Sequence, residues 1–171
     1  PGMKNEQIQI RVSNRKLWLG LLDALGVTDT AEVLKIVDKL EKTGIKAAYI
    51  SLESSIAQQT IRDKVMALAE VKSMSVSDLT ERLRAFDEIS SQTFQEGCQE
   101  LLFVMNQLSH LPPGAVVADL SIVRGLDYYT GTVYETVFTE NPGYGSICSG
   151  GRYDDLASGY INKSLPGVGM S

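Results

Sequence analysis

Polar and apolar residues alternate strictly from Gln7 to Val12 (QIQIRV), which puts Ile8, Ile10 and Val12 on one face and predicts a strand covered on one side. The period then changes. Leu17, Trp18, Leu21, Leu22 and Leu25 recur at helical spacing behind Asn14, whose short side chain suits a helix N-cap, and Gly26 ends the stripe. Asp29 with Glu32 has the spacing of a capping box for a second helix carrying Val33, Ile36, Val37 and Leu40, stopped by Thr43-Gly44. Helical periodicity persists to His110 in three further stripes. These are Ile61, Val65 and Leu68; then Leu79, Leu83 and Phe86 with Ser77 as cap; then Phe94, Cys98, Leu101, Leu102, Met105 and Leu108.

Pro112-Pro113-Gly114 cannot continue a helix, and beyond it a period of two returns. Val116, Ala118, Leu120 and Ile122 alternate as a strand, and Thr132 to Phe138 (TVYETVF) is a dense β-branched and aromatic run. Asn141-Pro142-Gly143 turns the chain toward a further strand from Ser146 to Ser149, giving an antiparallel meander. A strand, then helices, then strands describes an α+β chain in which a helical insertion interrupts one sheet, or else two domains in sequence; periodicity leaves both open. The insertion reading divides the chain into a first strand and helix at 1–26, an all-helical module at 27–111, and antiparallel strands at 112–171.

With 171 residues, 43% of them hydrophobic, the chain has enough apolar side chain to build a core, which argues against disorder. Its net charge of -5 offers no general attraction to nucleic acid or anionic membrane, so any such contact must be local. Cys98 and Cys148 form no CxxC spacing and His110 is the single histidine, which speaks against a metal site built from His and Cys. No apolar run approaches the ~20 residues of a membrane helix, and a reduced cytoplasmic protein is expected. Pro1-Gly2 ahead of Met3, and an end at Gly167-Val168-Gly169-Met170-Ser171 without a polar tail, read as cuts within a longer protein.

Chemistry concentrates in two clusters. Arg124 to Tyr134 (RGLDYYTGTVY) gathers an arginine, an aspartate, adjacent tyrosines and two glycines where a turn enters a strand. In a strand Tyr128 and Tyr129 face opposite sides of the sheet, so only one would point into a given pocket unless the backbone bulges near Gly125 or Gly131. Ser149 to Asp155 (SGGRYDD) couples Gly150 and Gly151, where a ligand can lie against bare backbone, to Arg152, Tyr153 and two carboxylates. Half-buried sheet tyrosines and a solvated salt bridge in a tight turn would explain the same residues. There is no GxxxxGK[ST] loop and no GxGxxG between a strand and a helix, so a nucleotide here would be held by side chains and sheet backbone.

Together the two clusters resemble the signature segments of the histidyl-tRNA synthetase family, within the class II aminoacyl-tRNA synthetases. The resemblance runs through Val123 to Glu135 (VRGLDYYTGTVYE) and Gly150 to Asp154 (GGRYD). Ile8 to Leu22 also looks like the strand and helix that follow the second class II motif in this family, which carries an insertion domain where the helical middle lies. The resemblance implies ATP-dependent activation of histidine to histidyl-adenylate and transfer to tRNA(His), with ATP and Mg2+ as substrate and a homodimeric, cytoplasmic parent.

In that family the arginine matching Arg124 contacts the histidine carboxylate and the α-phosphate, where a preorganised guanidinium stabilises developing charge. The tyrosines matching Tyr128, Tyr129 and Tyr153 line the amino-acid pocket, and Gly150 and Gly151 would let substrate approach the strand. A pocket that must pair both imidazole nitrogens rejects apolar analogues. The first two class II motifs would precede residue 1 and the third would begin at Val168 to Ser171. The isolated polypeptide is therefore expected not to aminoacylate, and exposed sheet edges invite self-association.

Two relatives share the fold without the activity: the regulatory subunit of ATP phosphoribosyltransferase and pseudo-synthetase domains that sense uncharged tRNA. Arg124, the full RGLDYYTG run and the long insertion favour the enzyme. Lys35, Lys39, Lys42 and Lys46 recur at helical spacing and could meet tRNA phosphates, although Glu32, Asp38 and Glu41 among them also fit an ordinary solvated face.

Overall fold

The computed structural model describes residues 7–123, 128–156 and 163–171. Strand β1 (Ile8–Asn14) leads into helix α1 (Arg15–Ala24), and the helices α2 (Thr30–Asp38), α3 (Leu40–Thr43), α4 (Ile45–Leu52) and α5 (Gln59–Ala69) follow. After them come the two-residue strand β2 (Lys72–Ser73), α6 (Val76–Arg84) and α7 (Gln92–Gln107), then β3 (Val116–Asp119), β4 (Thr132–Phe138), β5 (Ser146–Tyr153) and β6 (Gly167–Met170).

These strands make one six-stranded sheet in the order β2-β3-β1-β4-β5-β6. The first strand does rejoin the last ones: Val12 pairs with Ala118 of β3 on one side and with Tyr134 of β4 on the other. The sheet is mixed rather than wholly antiparallel, because β1 and β3 run parallel. Parallel neighbours need a long crossover, and the helices between them supply it. The middle of the chain is also not purely helical, since β2 pairs antiparallel with β3 at the sheet's edge.

Local capping follows the side-chain chemistry. Asn14 Oδ1 accepts from Lys16 N–H at 2.9 Å and Asp29 Oδ1 accepts from Glu32 N–H at 3.3 Å. The second helical stripe is broken at Lys39 into α2 and α3, and Gly44, at φ 81°, turns the chain into α4. The cap of α6 is Ser75, whose Oγ accepts from Asp78 N–H at 3.2 Å, rather than Ser77. β3 stops at Asp119 instead of running to Ile122. Asp119 Oδ1 accepts from the Ser121 N–H at 3.1 Å, an Asx turn that lifts the chain out of the ladder.

The main core lies between one sheet face and the helices, with Leu17, Trp18, Leu21, Leu22, Val65, Leu68, Leu79 and Leu101 all fully or almost fully buried. There α1 and α7 cross so closely that a Cβ on Gly20 would sit 2.3 Å from Phe94 N, and one on Gly97 would sit 2.6 Å from Leu17 N. α7 falls inside the 27–111 stretch expected as the insertion, yet its tightest packing is against α1. β1, expected to be covered on one side, is closed on both at its C-terminal end, where Ser13 is fully buried and Arg11 nearly so.

Candidate functional site

The second sheet face carries the candidate chemistry. Register places Arg11 beside Glu135, Ser13 beside Val133, Val133 beside Gly151, Gly151 beside Gly169 and Tyr153 beside Gly167, so all of these share that face. A small apolar cluster of Ile122, Tyr129, Val133 and Tyr153 sits on it, separate from the main core.

Tyr128 and Tyr129 do not alternate across the sheet. They precede the start of β4 at Thr132, so strand alternation does not govern them, and both rings come together with 4.6 Å between centroids at 54°. Tyr128 also meets Tyr153 edge-on, 6.2 Å between centroids at 86°, an arrangement that ring quadrupoles favour. Tyr129 is buried while Tyr128 is half-exposed, leaving the cluster with an inner wall and an open rim.

The floor of this cluster is glycine. A Cβ on Gly151 would lie 2.7 Å from Tyr129 Cδ1, and one on Gly167 would lie 2.4 Å from Tyr153 Cε2. Rings can rest on the sheet because no side chain occupies those positions. Gly150, paired with Tyr134, points to the helix-covered face, where its Cβ would lie 2.0 Å from Gly169 O. Tyr134 Oη spans that spot and donates to Gly169 O at 3.1 Å, and burial pushes its phenol above the ordinary range. The adjacent glycines therefore serve opposite faces, and only Gly151 joins Tyr128, Tyr129 and Tyr153. Gly167 and Gly169 lie opposite Tyr153 and Gly151, and their spacing of two is the sequence signal for this further pair of glycines on the face.

The segment carrying the tyrosines is tied to its surroundings through backbone and side chain. Thr130 N–H donates to Arg152 O at 2.9 Å and Arg15 N–H donates to Gly131 O at 2.9 Å. Thr130 Oγ1 donates to Asp154 Oδ2 at 2.8 Å, and Arg152 Nε donates to Asp154 Oδ1 at 3.0 Å. Partial burial acts to raise the Asp154 carboxyl, but the Thr130 hydroxyl and the Arg152 guanidinium outweigh it and hold it below the usual range. Arg124, the arginine expected at the centre of the site, lies outside the described residues, with Gly125, Leu126 and Asp127.

Farther along the same face is a charge network that hydrophobic patterning gave no means to see. Arg11 Nη1 donates to Glu41 Oε2 at 2.9 Å and lies 3.9 Å from Asp119 Oδ2 and 3.8 Å from Glu135 Oε1. Asp119, almost wholly buried, is also paired with Lys72 Nζ at 2.8 Å and accepts from Ser121 Oγ at 2.6 Å. Burial acts against the Arg11 charge, but Glu41, Asp119 and Glu135 more than offset it and raise its already high pKa. A polar cavity of about 280 Å³ opens beside the network, lined by Asp38, Glu41, Lys42, Ser121 and Glu135 among others.

The lysines expected to meet tRNA border different cavities. Lys35 and Lys39 border one cavity with Glu32 and Ser51, while Lys42 borders the cavity beside Glu41. Lys35 is held by Glu32 at 3.1 Å, and Lys46 is exposed. Among the described residues, no group of three or more His, Cys, Asp and Glu is arranged to hold a metal ion, and no helix is long and apolar enough to cross a membrane.

Comparison with known proteins covers nearly the whole chain. A sequence profile described as "Histidyl-tRNA synthetase" matches residues 2–171. The chain is 46% identical over 165 residues to a histidine–tRNA ligase of Thermobifida fusca, covering 95% of this chain and 37% of that protein. It is 47% identical over 163 residues to the one of Micrococcus luteus, covering 95% of this chain and 35% of that protein. The chain thus spans little more than a third of the length of these relatives. Among solved structures, the crystal structure of histidyl-tRNA synthetase from Nostoc sp. PCC 7120 superposes with a TM-score of 0.87 at 32% identity, over 98% of this chain and 40% of that one. A Bacillus halodurans protein titled as an ATP phosphoribosyltransferase regulatory subunit/histidyl-tRNA synthetase shares the fold, with a TM-score of 0.73 at 19% identity over 96% of this chain and 41% of its own.

Proposed function

Since the chain belongs to the histidyl-tRNA synthetase family, we propose that it forms the histidine-binding part of a longer enzyme that activates histidine with ATP and transfers it to tRNA(His). The observation that carries this reading is the gathering of Tyr128, Tyr129 and Tyr153 on one glycine-floored sheet face. Aromatic rings there offer a water-excluding wall for a planar imidazole, and their hydroxyls offer donors and acceptors for its two nitrogens. Selectivity follows from that chemistry, because an apolar analogue could not use the donors and acceptors that a polar ring nitrogen matches.

In this reading Arg124 stabilises the charge that develops as the histidine carboxylate attacks the α-phosphate of ATP, with Mg2+ arriving as part of the substrate. No protein nucleophile is required: carboxylate oxygen bonds to phosphorus, pyrophosphate leaves, and the tRNA terminus then displaces AMP. ATP binding, the homodimer and a cytoplasmic setting belong to the whole protein. Lys35, Lys39 and Lys42 remain candidates for tRNA phosphate contacts, their division between two cavities favouring separate points of contact over a continuous ridge.

The helical insertion is placed at residues 27–111, reaching the rest of the chain through β2, which pairs with β3, and through α7, which interlocks with α1 at Gly97 and Gly20.

Histidine-dependent ATP-pyrophosphate exchange by the full-length parent, with and without Arg124→Ala, tests the reading. Robust exchange that collapses with the substitution supports it. Absence of exchange in the intact parent would transfer the chain to the regulatory or tRNA-sensing relatives.

A further inference from the structure

The first turn of α1 is bonded to both ends of the segment that supports the tyrosine face. Arg15 is 7% exposed, and its Nη1 donates to Val123 O at 3.2 Å while its own backbone N–H donates to Gly131 O at 2.9 Å. One turn farther on, Trp18 Nε1 donates to Leu120 O at 2.9 Å. Val123 directly follows Ile122, which packs against Tyr129 and Val133, and Gly131 follows Tyr129 by two positions. Arg15 is therefore bonded to the chain just after Ile122 and, through its backbone, just after Tyr129.

We propose that Arg15 is a positioning residue for histidine recognition: by holding Val123 O and Gly131 O from one helix start, it keeps Ile122 beneath Tyr129 and so sets where the tyrosine hydroxyls stand. This rests on the reading that the tyrosine face takes histidine. A guanidinium suits the task because it stays charged when buried and reaches a carbonyl through a rigid planar fork. Arg62, another buried arginine, serves as the contrast. It donates to Ile56 O and Ala57 O, both at 2.8 Å, within the helical module and away from the tyrosines.

The test uses the full-length parent enzyme and pyrophosphate exchange, with KM determined separately for histidine and for ATP. Arg15→Met should raise KM for histidine about tenfold, the scale of one weakened recognition hydrogen bond. KM for ATP should stay unchanged, and Arg15→Lys should recover most of the loss. Arg62→Met should leave both KM values unchanged. If Arg15→Met does not fold, Arg15→Lys and Arg15→Gln decide: the proposal requires histidine KM to rise in the order Arg, Lys, Gln at constant ATP KM. Parallel changes in both KM values, or none, with an active parent would overturn the role of Arg15 alone. No exchange in the unsubstituted parent would overturn the histidine reading and this proposal with it.

Discussion

The ring of Tyr129 occupies the space that a side chain at Gly151 would need: a Cβ there would meet Tyr129 Cδ1 at 2.7 Å, Cε1 at 2.8 Å and Thr132 O at 2.9 Å. Gly151→Ala must therefore displace the ring or the strand. Overpacking of this kind costs about 1–3 kcal/mol. Urea denaturation should show that loss, and the full-length parent should show a raised KM for histidine. Gly143, whose Cβ would meet nothing within 4 Å, is the control, and Gly143→Ala should leave both quantities unchanged.

The crossing of α1 and α7 should be less forgiving. At Gly20 the obstructing atoms are the backbone N and Cα of Phe94, at 2.3 and 2.7 Å from the added Cβ, so no side chain can simply rotate away. Gly20→Ala and Gly97→Ala should each cost about 3 kcal/mol or more. Because both act by prising the same pair of helices apart, the double substitution should cost less than the sum. Additive losses in denaturant titrations would show that the two sites relax independently.

Arg11 sits among Glu41, Asp119 and Glu135 on the face that continues from the tyrosines. Arg11→Met preserves bulk but leaves the buried Asp119 with less compensation. Lys72 still pairs with Asp119 at 2.8 Å, so the loss should fall below that of an uncompensated buried charge, at about 1–3 kcal/mol. Glu41→Gln should cost less, about 0–1 kcal/mol, because Glu41 is 58% exposed at its side chain and water screens the pair. Equal losses for the two variants would mean that the exposed carboxylate, rather than Asp119, carries the pairing.

Burial, with help from Asp87, pushes the Cys98 thiol up to about 11. It should stay protonated and resist alkylation by iodoacetamide at pH 8, reacting only when denaturant opens α7. The sign for stability follows from linkage. The folded state holds the thiol proton more tightly than the unfolded one, so this contribution is complete below pH 9 and is lost as pH rises toward 11. In Cys98→Ala the decline in stability over that window should be shallower than in the natural sequence.

Much of the fold was legible in period alone. Asn14 and Asp29 cap the helices that their spacing suggested, and the rejoining of β1 with the later strands is one of the two arrangements that the strand-helices-strand order left open. Periodicity reports which positions are apolar, however, and not which strand a neighbour comes from, so the parallel pairing of β1 and β3 and the short β2 were invisible. The same limit hid the burial of Arg11 and Ser13, polar residues that simple alternation assigns to an open face.

At the site, Tyr128, Tyr129 and Tyr153 were legible as a concentration of chemistry, but their meeting was not. It depends on Tyr128 and Tyr129 lying outside β4, where a period of two no longer separates them. Gly150 and Gly151, adjacent and identical in sequence, serve opposite faces, a difference that exists only once register is set.

The most direct test of the central claim is calorimetric titration of histidine into the full-length parent and into its Tyr129→Phe and Tyr153→Phe variants. Each variant keeps the ring and removes only a hydroxyl. If the tyrosine face receives the imidazole, the parent should bind histidine in preference to phenylalanine, and at least one variant should bind histidine about tenfold or more weakly, the cost of leaving a polar partner unmet. Unchanged histidine affinity in both variants would contradict the account and place histidine recognition elsewhere in the protein.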